Sequence, residues 1–339
     1  MSDGDPADVG TANTMRERAG ESRVKIWLLL EANRFVITAV LALSVFVAFV
    51  AVSVLLDPSL RSQLSSKDPI ETLFSAMIGV VVTGTTLVVT INQLVLSQET
   101  GPLGDQRQRM SDAMDFRTYA TELFESAPPA QPAAFLRELV AESETRADAL
   151  ARLVDEDDDP ELGRQVAAFV DSLRGNAETV EDQLQAVQFG TFDVLSAALD
   201  YNYSWKLRQI ERMTDEFADS IDADQRAAFD DLQDVLAMFG PAREHVKTLY
   251  FQWALVDLSQ YILYLAVPAL IIAGCMLAFV SQSTVPGSTL GVDNLTWVVA
   301  AAFTMTVLPF LLFTSYVLRI ATAAKRTLAM GPLILRDQN

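Results

Sequence analysis

The chain has 339 residues, half of them apolar and a fifth charged, with a net charge of −19 and a mean hydropathy of +0.24. That balance excludes a disordered or fibrous protein, and one cysteine (Cys275) with one histidine (His245) excludes disulfides, zinc clusters and iron–sulfur ligation within a single chain. Four uncharged runs, residues 35–56, 72–98, 258–292 and 294–318, stand apart from a charged middle and identify an integral membrane protein.

In chain order, residues 1–12 are mostly Asp, Gly, Ala and Pro and read as a disordered tail. No removable signal peptide is expected, so the first crossing serves as an anchor. A helix can start at Asn13 and enter the membrane past Trp27 and Arg34. Phe35 to Leu56 then supplies 22 uncharged residues, about 33 Å at 1.5 Å per residue, closed by Asp57 and Pro58. Pro69 introduces a second crossing from about Leu73 to Ser97, ended by Gly101, Pro102 and Gly104.

Residues 105–257 hold 32 acidic and 14 basic residues, so the acidity belongs to this segment. Such a surface repels phosphate backbones and anionic headgroups, and no nucleic-acid partner is expected. Helical periodicity runs through Met114, Tyr119, Leu123 and Phe124, then Phe135, Leu139, Leu150 and Leu153, with breaks at Pro128, Pro129, Pro132 and Asp155–Pro160. Another helix begins near Pro160. From Asn176 a long one is predicted with a heptad-like seam of Leu184, Val187, Thr191, Val194, Ala198, Tyr201 and Trp205; Gly190 allows a bend or a division in two. A helix from about Asp222 to Met238 is expected to end at Gly240 and Pro241, where the next begins and climbs into the third crossing, with Val246, Leu249, Tyr250, Trp253 and Val256 on one face. The fourth crossing spans Leu295 to Leu318, and a basic tail follows.

Arg16, Arg18, Arg23, Lys25 and Arg34 flank the first crossing, and Arg319, Lys325, Arg326 and Arg336 follow the last. The loop after the first crossing holds only Arg61 and Lys67 and the loop near Asp293 none, so both termini and the acidic segment are expected in the cytoplasm of a cell-membrane protein. Asp outnumbers Glu by 27 to 17 and only five residues are Lys, a composition resembling proteins of salt-loving archaea. At about 1 M salt the Debye length is roughly 3 Å, so a dense carboxylate surface hardly repels itself.

The most informative candidate site is in the second crossing. Ser75, Gly79, Thr83, Thr86, Thr90, Gln93 and Ser97 follow one another at steps of three and four and form one stripe, which either packs on a helix or lines a hydrated pore. Asn92 and Thr85 lie away from it. Asp257, Gln260, Tyr261 and Tyr264 open the third crossing, either as a cation-attracting entrance or as an interfacial belt. Pro268 and Pro309 are candidate hinges. Asp155–Asp159 fails as a calcium loop, because the required Gly and Glu places hold Pro160 and Val166. No catalytic motif is present; no enzyme activity, catalytic residue, metal or cofactor is expected, and His245 reads as a surface residue.

The stretch VVVTGTTLVVTINQLVLSQETGPLG, with Gly84, Thr90, Leu94, Leu96, Ser97, Gln98, Gly101 and Pro102, resembles a segment of a widespread family of predicted prokaryotic membrane proteins of unknown function. The resemblance implies a membrane protein and no particular activity. The expected fold is all-α, with four transmembrane helices and a cytoplasmic helical bundle inserted between the second and third. The segments are a 1–12 tail, 13–104 with crossings one and two, the 105–240 acidic domain, 241–318 with a stalk helix and crossings three and four, and the 319–339 tail. The functional expectation is an oligomeric channel-like or ion-handling protein with a regulatory bundle; the alternative is a membrane-anchored scaffold or sensor. Its expected partners are the lipid bilayer, further copies of itself and a cytoplasmic protein.

Overall fold

The structure, a computed structural model, describes residues 24, 27–55, 60, 69–99, 101–154, 159–185, 187 and 192–327. Most are helical, and four helices are long and apolar enough to cross a membrane. The chain divides into two compact units. One is built on Pro102–Phe251 and the other on Leu28–Gly101 with Gln252–Thr322.

The second unit contains the span helices. A π-helical turn, Trp27–Glu31, precedes α1 (Arg34–Leu55), and α2 covers Pro69–Glu99, opened by a proline whose missing amide hydrogen costs nothing at a helix start. Leu28 of the π turn and Ala32 accept hydrogen bonds from the guanidinium groups of Arg34 (3.4 Å) and Arg319 (2.5 Å). Arg34, 4 % exposed, also donates to the Ser315 carbonyl at 3.2 Å. These side chains therefore bind the start of α1 to the end of the last helix. Ile70, Phe74, Ala273, Met276, Leu295 and Val299 form a core near the opposite helix ends, with the rings of Phe49 and Phe303 beside it, tilted at 37° with centroids 5.5 Å apart.

In the bundle unit, α3 (Leu103–Phe124), α4 (Pro132–Leu153), α5 (Pro160–Gln185), α6 (Phe192–Asp200) and α7 (Tyr203–Glu216) precede α8 (Ala223–Phe279). Leu136, Leu139, Val140, Ala147 and Leu150 of α4 meet Leu162, Val166, Phe169, Val170, Leu173, Ala177 and Val180 of α5, each set recurring at helical spacing. Asp159 caps α5 by accepting from the amides of Leu162 (3.2 Å) and Glu161 (3.1 Å), and the Leu162 bond above all holds its carboxyl below the usual range.

Three features of the bundle differ from the sequence-based expectation. Asn176 starts no helix; it lies inside α5 and is 1 % exposed. The seam is neither one bent helix nor two, since Leu184 lies on α5, Val194 and Ala198 on α6 and Trp205 on α7. Of its residues, Leu184, Val194, Ala198 and Tyr201 are buried in the bundle core, so the periodicity marked core positions rather than helix length. Nor does a helix end at Gly240 and Pro241: α8 passes through both. A Cβ at Gly240 would lie 3.1 Å from the Tyr203 hydroxyl, so this glycine permits close packing of an aromatic ring instead of stopping the helix.

The Tyr201–Tyr203 turn gathers the buried polar groups. Lys206, fully buried, sits 4.2 Å over the Tyr201 ring and donates to Asn176 Oδ1 at 2.5 Å; Asn176 Nδ2 donates to the Asp200 carbonyl at 3.0 Å. Tyr201 shares a hydrogen bond with Ser143, and burial pushes its phenol well above the ordinary tyrosine value. Arg243, 1 % exposed, lies 4.9 Å over the Tyr203 ring and pairs with Glu244 at 3.2 Å.

After α8 a two-residue hairpin, β1 (Ser288–Thr289) and β2 (Val292–Asp293), precedes α9 (Asn294–Thr327), with Ser288 opposite Asp293 and Thr289 opposite Val292. Its central residues Leu290 and Gly291 have φ of 55° and 79°. A left-handed conformation costs a non-glycine residue such as leucine roughly 1–2 kcal/mol.

Asn176→Ala is expected to lower stability by about 2–3 kcal/mol, the scale of a hydrogen bond to a charged group. Chemical denaturation of the full-length protein in lipid nanodiscs would measure this; a loss below 0.5 kcal/mol, on the order of an ordinary surface substitution, would refute the assignment. Glu181 offers a pH test. Burial, then the neighbouring Glu144, raises its carboxyl above the ordinary glutamate range, so the fold favours the protonated form. The penalty is fully present above the folded pKa and disappears as pH falls below the unfolded one. Glu181→Gln should therefore be more stable than the parent at pH 7, by up to about 1 kcal/mol given partial solvent screening, and equal to it at the acid end of a thermal-unfolding series.

Candidate functional site

The site with the most unusual chemistry is the outer face of α2. Its inward face is apolar: Phe74, Val81 and Val88 are 0–6 % exposed, and Ile78, Thr85 and Asn92 are partly covered between and beyond them. Val81 packs with Ala266 and Ala269 of α8, and Val88 packs with Leu258 and Ile262. That pattern, at steps of three and four, fixes the rotation of α2 within its unit.

All seven stripe residues, Ser75, Gly79, Thr83, Thr86, Thr90, Gln93 and Ser97, consequently point away from the core and are exposed. The Thr86 hydroxyl donates to the Val82 carbonyl at 2.9 Å, Thr90 to Thr86 at 2.9 Å and Ser97 to Leu94 at 2.7 Å. No atom lies within 4 Å of a Cβ built on Gly79 or Gly84. Packing inside the chain therefore does not demand glycine at either place. Between α2, α8 and α9 lies an open groove of about 660 Å³, lined by Gly79, Thr83 and Gly84 on one side and by Ile262, Pro309 and Phe310 on the other. Asn92 Oδ1, by contrast, is buried with no hydrogen-bond partner among the described residues.

The entrance residues separate. Tyr261 and Tyr264 line a cavity of about 260 Å³ with Phe35, Thr38 and Leu312, whereas Asp257 and Gln260 do not line it. Tyr261 sits edge-on to Phe35 at 5.0 Å and near Tyr316 at 6.5 Å, an aromatic cluster between α1, α8 and α9. Pro268 is exposed within an unbroken α8, and Pro309 is buried within α9. His245 is exposed on α8. Among the described residues no group of three His, Cys, Asp or Glu side chains is placed to hold a metal; Asp155–Asp158 lie outside them, as does the helix expected from Asn13 apart from Val24 and the residues from Trp27 on.

Sequence reasoning missed the roles of Arg34 and Arg319. Both served only as flanking charges, yet Arg34 lies buried against α9, and Thr38 Oγ1 extends the contact to Ser315 Oγ at 3.3 Å. Arginines four residues from small hydroxyl residues at the start of one span and the end of another were the available signal. Sequence reasoning likewise gave no part to Trp297, whose indole Nε1 donates to the Thr289 carbonyl of the hairpin at 3.2 Å.

No curated protein and no solved structure matches this chain. A family model matches it over residues 1–339, and the chain belongs to that family, a family of unknown function (DUF7972).

Proposed function

We propose that the protein is an oligomeric, channel-like protein of the cell membrane in which α2 of each copy faces the others. The observation that carries this reading is the outward polar stripe. A helix that buries Phe74, Val81 and Val88 against its own chain and turns seven small or polar residues outward gains nothing from lipid. Copies arranged around a common axis would cover the stripe or wet it. Because Thr86, Thr90 and Ser97 already satisfy their hydroxyl hydrogens on α2, their oxygens remain available to water or a dehydrated cation without unfolding the helix. The same self-bonding favours a second reading, a scaffold or sensor whose α2 helices pack dry.

Both termini and the acidic bundle are proposed to be cytoplasmic, and the surface carboxylates are read as an adaptation to salt. The bundle is proposed to regulate the spans and to receive a cytoplasmic partner. Support for coupling comes from α8, which belongs to both units and is helical from Ala223 to Phe279 without interruption.

Single cysteines at Thr86 and Thr90 in a Cys275→Ala background are expected to cross-link between copies in native-like lipid, while one at Val40, on the exposed face of α1, is not. In proteoliposomes Thr90→Leu should reduce ion flux at least about tenfold if the stripe is wet, a barrier change of roughly 1.4 kcal/mol. Cross-linking without conductance in any salt would select the scaffold, and loss of cross-linking at both positions would refute the shared-axis arrangement.

For the orientation, cysteines at Ser65 and Ser288 should react with an impermeant reagent added to intact cells and one at Ala149 should not. Labelling at Ala149 would overturn it.

A further inference from the structure

The loop joining α8 to α9 contains a residue that is out of place by two independent criteria. Leu290 is 89 % exposed, the most exposed large apolar side chain among the described residues, and it holds φ at 55°. With Gly291 at 79°, the turn has positive φ at both central residues, a conformation that an Asn-Gly pair fills best and a leucine poorly. Neither solvation nor turn geometry rewards leucine here.

The tip is also held firmly. Thr289 accepts the Trp297 indole hydrogen at 3.2 Å and donates its hydroxyl to Asn294 Oδ1 at 2.6 Å. Asn294 returns its side-chain amide to the Pro286 carbonyl at 3.2 Å and its backbone amide to Gly287 at 3.0 Å. The hairpin is therefore clamped to the first turn of α9 rather than extended away from it. Trp297 in turn stacks on Phe46 at 5.8 Å. Phe46 lies nine residues before the end of α1, a rise of about 13 Å, so the clamp stands beside the uncharged final turns of that helix and not beyond its end. Val47, Val52 and Val54 expose more than half of their surfaces there, and residues 280–292 contain no charge.

We propose that Leu290 is an interfacial anchor: the hairpin tip inserts its leucine into the lipid at the headgroup boundary, with Trp297 as the fixed aromatic support behind it. This rests on the membrane reading given above. Burial of the leucine side chain in lipid offsets the cost of the left-handed backbone at Leu290. In the anchored state the hairpin fixes the height and rotation of α9, and through it the α9 wall of the groove beside α2.

The test uses full-length protein with Cys275→Ala in phosphatidylcholine nanodiscs. Leu290→Cys, Ser283→Cys and Val47→Cys are each labelled with bimane and quenched by 5-doxyl lipid, by 12-doxyl lipid and by aqueous iodide. The Leu290 probe is expected to be quenched by 5-doxyl lipid at least about twofold more than the Ser283 probe, and by iodide at least about threefold less. Iodide quenching equal to that at Ser283 would overturn the anchor. Protection from both quenchers would also overturn it, in favour of cover by a second copy. Val47 reports on the reading beneath: if 12-doxyl lipid fails to quench it, the span assignment fails and the anchor with it, whereas quenching at Val47 with none at Leu290 rejects the anchor alone.

Discussion

A hydroxyl in hydrocarbon must find an acceptor, and on α2 it finds the helix that carries it. Thr86 and Thr90 bond to carbonyls four residues back and Ser97 to one three back. This local satisfaction allows α2 to turn its polar side outward while the Phe74, Val81 and Val88 face docks on α8. Had the threonines needed partners on α8 or α9, the helix would have been rotated the other way and its surface would read as an ordinary lipid-facing one. The groove against Pro309 and Phe310 follows from the same rotation, because Gly79 and Gly84 then supply no side chain to fill it.

Charge is distributed in the bundle by a complementary rule. The segment is strongly acidic, and two cations, Lys206 and Arg243, are withdrawn to its interior at 0 and 1 % exposure. Each lies over a tyrosine ring, and each has a polar acceptor, Asn176 or Glu244. Burying an ammonium group costs several kcal/mol unless it is bonded, so the Tyr201–Tyr203 turn has to be built accurately or not at all. That requirement accounts for Gly240, whose missing side chain lets Tyr203 lie against α8.

The four long apolar helices were legible because span length is set by the bilayer and shows directly as uncharged runs. The stripe on α2 was legible because helical spacing alone places Ser75 and Ser97 on one side. Helix ends within the bundle were harder. A glycine–proline pair usually ends a helix, but at Gly240–Pro241 tertiary packing against Tyr203 outweighed the local signal, and α8 continued. The seam failed for the opposite reason: Leu184, Val194, Ala198 and Tyr201 keep core spacing although they do not share one helix, because they enter the same core. The hairpin escaped notice because its strands are two residues long, too short for alternation to register. Whether the stripe is wet lies beyond periodicity, which gives the direction of a side chain but not what surrounds it.

The hydrogen bond from Arg319 to the carbonyl of Ala32 joins residues 287 apart in the sequence. α1 is therefore synthesised long before its closing contact can exist. The bundle is different, since its buried core, from Ala120 to Val246, lies within the stretch Pro102–Phe251. It can complete its core while α9 is still being made. In chain order the last residue of the bundle core, Val246, precedes α9, whereas the contact between Arg319 and Ala32 waits for the last helix.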